Sequence, residues 1–90
     1  MGRVHQKLFR INDQIAALDR ERALAVEELG YHRHLDDDAQ RDAAVSGSPF
    51  DRADARETSG DVARFESVIR GIDEQRARLA AKRDRLLRKL

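Results

Sequence analysis

Ninety residues with 39% charged and 4% aromatic side chains, no Trp and a single Tyr, are too few and too polar to fill a broad globular core. A net charge of +1 excludes a uniformly basic nucleic-acid binder, and zero Cys excludes both a disulfide framework and a thiolate zinc site. Such a chain can fill a narrow seam between two helices, and its wealth of Ala, Leu and Arg is that of long helices.

The first element is marked by Val4, Leu8, Ile11, Ile15, Leu18, Arg22, Ala25 and Leu29, which follow one another at alternating steps of four and three. That is an a/d heptad stripe, and it predicts a helix from about Val4 to about Val45. Gly30 interrupts it at a cost of about 1 kcal/mol against Ala in a helix interior. Beyond it the stripe would continue through the polar His32 and Asp36, so a kink, fraying or a change of packing is expected at that level. His32, His34 and Asp36 also invite a metal reading, because His32 and Asp36 stand one helical turn apart. A solvated polar face is the simpler account, and no metal or cofactor is expected.

Ser46-Gly47-Ser48-Pro49 holds the chain's single Pro and is its strongest breaker, placing a turn near residues 46–48. Ser48 suits an N-cap, Pro49 the first helical position, and Asp51 follows Ser48 by three residues as in a capping box. The second element carries its own stripe: Val62, Phe65, Ile69, Ile72, Arg76, Leu79, Arg83, Leu86 and Leu90. Gly60 precedes it, as Gly30 follows the first.

Folding the two stripes together antiparallel pairs positions whose numbers sum to 94. Leu8 then meets Leu86, Ile15 meets Leu79, and Ala25 meets Ile69, while Arg22, Arg76 and Arg83 each face an aliphatic residue. The midpoint of that register is Gly47, inside the turn. The expected fold is all-α: a single domain, residues 1–90, of two long helices in an antiparallel coiled-coil hairpin. At about 1.5 Å per residue each arm reaches roughly 60 Å. Residues 1–30 and 60–90 form the stem, and residues 31–59 the tip.

Charge is sorted along this rod. From His34 to Asp61 there are eight acids (Asp36, Asp37, Asp38, Asp42, Asp51, Asp54, Glu57 and Asp61) against Arg41, Arg52 and Arg56, a net of −5. The remainder has 15 bases and 9 acids, a net of +6, which together give the overall +1. The basic share is concentrated in Arg76, Arg78, Lys82, Arg83, Arg85, Arg88 and Lys89, where cations favour a helix C-terminus. With no aromatic residues interleaved, direct nucleic-acid binding is not expected. No phosphate loop, nucleophile motif or paired-His zinc motif occurs, so no enzyme activity is expected. No stretch has the ~20 apolar residues a bilayer span needs, and the N-terminus has no signal-peptide core. A cytoplasmic protein with no membrane partner is therefore expected, and the preference for Arg over Lys points to a GC-rich bacterial genome.

The segment Ser48-Pro49-Phe50-Asp51-Arg52-Ala53 resembles the coiled-coil tip of the DksA/TraR family, roughly Asp-Pro-x-Asp-Arg-Ala. The helix beyond it, with Glu57, Glu66, Ile69 and Ile72, is similar to the second arm of Gre-type transcript-cleavage factors. Both groups insert a helical hairpin into the secondary channel of bacterial RNA polymerase, where tip acids work near the catalytic Mg²⁺. The resemblance implies that Asp51 and Ala53 match the family's second Asp and its Ala. Ser48 replaces the first Asp, whose role would pass to Asp54 or to Asp36, Asp37 and Asp38. The family's zinc finger is missing, and no Gre-like C-terminal domain follows.

The expected function is that of a non-enzymatic transcription regulator with a large protein partner, RNA polymerase. Asp51, Arg52, Ala53, Asp54 and Asp36–Asp38 would act at the tip, with Arg76, Arg78, Lys82, Arg85 and Arg88 on the channel rim. The alternative is an adaptor coiled coil that self-associates as a homodimeric four-helix bundle, although Phe9, Leu24, Val26, Val68 and Leu87 form no clean second stripe. Secreted helical-hairpin proteins with a Trp-x-Gly turn are a third class, whose signature is absent because there is no Trp.

Overall fold

The computed structural model describes residues 2–90, which form α1 (Arg3–Ser46) and α2 (Pro49–Leu87). The two helices lie against each other along a rod of 66 × 16 × 12 Å. Neither contains an internal Pro, and the one Pro stands at the first position of α2, where its missing N–H is not needed.

The turn follows from three side chains and one glycine. Gly47 takes the left-handed conformation (φ 61°, ψ 12°), and its N–H donates to the Ala43 carbonyl at 2.9 Å, satisfying one of the last carbonyls of α1. A side chain there would meet nothing within 4 Å, so the glycine is required by its φ and not by crowding. The Asp51 N–H donates to Ser48 Oγ at 3.1 Å, as expected for the N-cap. The other half of the capping box does not form. The Ser48 N–H instead donates to Ser46 Oγ at 3.1 Å, and the Ser46 hydroxyl donates to the Asp51 carboxylate.

The seam buries or half-buries the aliphatic residues of the heptad stripes except Leu90, which lies beyond the end of α2 and is 64% exposed. Leu8, Ile11, Ile15 and Leu86 form one cluster with Val4 and Leu79 against it, and Leu18, Ala25 and Ile72 form a second with Ile69 and Leu79. These groupings fit the register in which paired positions sum to 94. Each helix has an unpartnered apolar stripe in isolation, and zipping the two stripes together removes both from water.

Of the three outcomes expected at Gly30 and Gly60, a change of packing is the one found. Gly30 and Gly60 break neither helix, because helical hydrogen bonding runs through both positions. What changes there is the chemistry of the seam. His32 stacks on Phe65 with ring centroids 4.8 Å apart, and beyond it the half-buried Asp36 is surrounded by hydroxyl and amide donors. Nor do Arg22 and Arg76 end on the aliphatic residues opposite them. Each guanidinium leaves the seam for an aspartate on the other helix: Arg22 Nε to Asp73 at 2.7 Å, and Arg76 Nε to Asp19 at 2.6 Å.

Candidate functional site

The distal end of the rod brings together carboxylates from both helices. One open groove of about 240 Å³ has Leu35 and Ala39 among its walls and is bordered by Asp38, Asp42, Asp51, Asp54 and Glu57. At the extreme end, Val45 and Phe50 stand on either side of the turn and are 89% and 84% exposed. Large apolar side chains that exposed gain nothing for the fold, since neither reaches the seam.

The acids expected at the tip fall into different environments. Asp51 is half-buried and its carboxylate ties the turn through Ser46. Asp54 is exposed beside it on the groove, and Ala53 is exposed. Asp38 pairs with Arg41, one turn on. Asp37 is exposed beside His34, Gln40 and Arg41, and Arg52 lies across the rod with Gln40, Ala43 and Arg56.

Asp36 belongs to the seam. Its Oδ1 accepts from Thr58 Oγ1 at 2.8 Å, Ser59 Oγ at 3.0 Å and Gln40 Nε2 at 3.1 Å. Those bonds, first from Gln40 and then Thr58, hold its carboxyl below the ordinary value of 3.8. Gln40 Nε2 also reaches the Ala55 carbonyl at 3.0 Å, closing a polar bridge between the helices. Asp36 is thus a polar register pin for the distal hairpin. His32, His34 and Asp36 do not converge: His32 stacks on Phe65, and His34 lies 3.9 Å from Asp38. Among the described residues no group of three His, Cys, Asp or Glu is placed to hold a metal ion.

The basic stem divides in the same way. Arg76 is engaged by Asp19, whereas Arg78, Lys82, Arg85 and Arg88 have no acid within ion-pair distance among the described residues. The bond from Arg76 holds Asp19 below its ordinary value, and the bond from Arg22 does the same for Asp73.

This crossed pair of ion pairs was legible in the sequence but easy to pass over. Ile15, Leu18, Asp19 and Arg22 recur as Ile69, Ile72, Asp73 and Arg76, so each helix carries the same Ile-x-x-aliphatic-Asp-x-x-Arg string. In an antiparallel pair, two copies of one string face each other reciprocally, and each Arg finds the other's Asp. A search for short internal repeats would have found it.

No family model matches this chain, and comparison with curated proteins and with solved structures yields no match. No helix among the described residues is long and apolar enough to cross a membrane.

Proposed function

We propose that this chain is a non-enzymatic interaction protein that works by its tip, delivering acids into a recessed, cationic site of a large partner. RNA polymerase, entered through its secondary channel, is the specific partner that the Ser48–Ala53 resemblance suggests. The supporting observation is the placement of Val45, Phe50, Asp54 and Glu57 at the far end of a rod 66 Å long and 16 Å across. A slender rod reaches into a channel, exposed apolar side chains supply contact area there, and exposed carboxylates suit a bound Mg²⁺ or a basic wall.

The roles of the tip acids are narrowed by their surroundings. Asp36 holds the seam and Asp51 holds the turn, so the acids free to act on a partner are Asp37, Asp42, Asp54 and Glu57. The chain is expected to be retained by core RNA polymerase and to alter its output in transcription with purified components. Asp54→Asn with Glu57→Gln should leave retention intact and reduce that effect several-fold, while Val45→Ala with Phe50→Ala should weaken retention itself. No retention of the unaltered chain by core polymerase would end the polymerase reading.

A further inference from the structure

The two flanks of the seam are unlike each other. In an antiparallel hairpin the g and c positions of both helices share one flank, and the e and b positions share the other. The e flank is bridged by polar pairs within the molecule, although Phe9, Val26 and Leu87 stay exposed on that side: Arg22 and Arg76 reach Asp73 and Asp19 across it, Arg33 lies 3.6 Å from Glu66, and Gln40 bonds Ser59.

The g/c flank carries no such Arg–carboxylate pair between the helices. At its stem end the heptad places Arg3, Lys7 and Arg10 from α1 beside Arg78, Lys82 and Arg85 from α2, all exposed and none within ion-pair distance of an acid. No acid interrupts them. At its tip end the same flank holds Asp38, Asp42, Asp54 and Glu57, which border the distal groove. Between the two ends it is mixed, with Glu21, Glu28, Asp61, Arg64 and Gln75 standing among exposed apolar side chains. Leu24 is 65% exposed, Tyr31 60% and Val68 50%, and the neighbouring Gly71 has open space above it.

With one end basic and the other acidic, this flank complements itself when a second rod is turned end for end, and Leu24, Tyr31 and Val68 supply apolar contact between the ends. We propose that two copies of this chain pair side by side in antiparallel orientation through the g/c flank, forming a four-helix homodimer. Each acidic tip then lies on the other copy's basic stem. The two-fold axis passes near Leu24 and Gly71, which the 94 register puts at about the same height, midway along the rod. Leu24 packs against its own copy there, and Tyr31 falls opposite Ala17, where an open groove of about 220 Å³ lies between Glu21 and Gln75.

A parallel pair would set base on base and acid on acid, and is disfavoured. A strip 66 Å long and about 12 Å wide supplies the roughly 800 Å² per partner that a stable interface needs. The inference goes beyond the polymerase reading and does not need it. If both hold, the homodimer covers Asp54 and Glu57 and competes with the partner for the tip.

Charge reversal tests the arrangement, read by sedimentation equilibrium in low salt, with circular dichroism confirming helicity. The unaltered chain should sediment as a dimer, and added salt should weaken it. A stem variant, Arg78→Glu/Lys82→Glu/Arg85→Glu, has two acidic ends, and a tip variant, Asp42→Lys/Asp54→Lys/Glu57→Lys, has two basic ends. Each alone should self-associate on the order of 100-fold more weakly. Mixed in equal amounts, they should form a one-to-one heterodimer, because each end again meets its opposite. Leu24→Glu, at an exposed site that leaves the seam intact, should also give monomers. A monomeric unaltered chain would overturn the proposal. So would reversed variants that dimerise undiminished, or a mixture of the two that stays monomeric. Retention by polymerase is a separate measurement, so the two readings fail independently.

Discussion

Ile15→Ala is expected to destabilise the hairpin by about 3 kcal/mol, within the range of about 2–5 kcal/mol typical of large-to-small changes at buried aliphatic sites. Ile15 is 5% exposed and lies in the stem cluster with Leu8, Ile11 and Leu86. The effect is large relative to the whole because the core is one seam, with nine buried apolar residues among those described. No second layer covers the gap, and a stability near the low end of about 5–15 kcal/mol would lose much of its margin. Urea unfolding followed by circular dichroism reads the change. Phe9→Ala is the control: Phe9 is 53% exposed on the outer surface of the same helix, and its loss should move the midpoint little. Equal effects at Ile15 and Phe9 would mean that the stripe is not the core.

Gly30→Ala combined with Gly60→Ala should do the opposite, stabilising the protein by about 2 kcal/mol in sum. Both residues are helical, neither has a positive φ, and a Cβ at either meets nothing within 4 Å. The gain comes from the unfolded chain, which loses freedom, and from the helix, which no longer pays glycine's entropy. For a domain of this size the melting temperature should rise by roughly 8–16 °C. A fall would show that the helices bend at these positions and that the methyl groups obstruct the bend. Gly71 is left out because it lies on the flank assigned to the second copy, where an added methyl group would report on the interface as well.

The architecture was readable from the sequence because it rests on a single pattern. Two unbroken heptad stripes, a Gly-Ser-Pro turn at their midpoint and a register summing to 94 leave few alternatives, and Leu8 packing in one cluster with Leu86 follows from them. The glycines leave both helices intact, with only the packing changed beyond them, because helix propensity is a weak preference that tertiary pairing overrides. About 1 kcal/mol per glycine cannot open a helix held on both sides by the seam. The tip was read only in outline. Counting aspartates put Asp36, Asp51 and Asp54 in one acidic set, but position in the heptad separates them. Asp36 at an a position points inward and is taken by Thr58 and Gln40, Asp51 at the helix start is taken by Ser46, and Asp54 at a g position is left free. The same heptad phase distinguishes Arg76, held by Asp19, from Arg78 and Lys82, which are free. Net charge per segment is a property of composition, while availability to a partner depends on which side of the helix a residue occupies.

The central claim, that α2 folds back along α1 so that both chain ends lie at the basic end of one rod, can be measured as a distance. Spin labels at Gln6 and Arg88, both exposed, should be read by double electron–electron resonance with labelled chains diluted into unlabelled ones. Helices packed about 8–10 Å apart predict a single narrow distance below about 30 Å, allowing for the label arms. If the chain instead straightened at Gly47 into one continuous helix, the 82 positions between the labels would span about 120 Å, and no short distance would be seen within a chain.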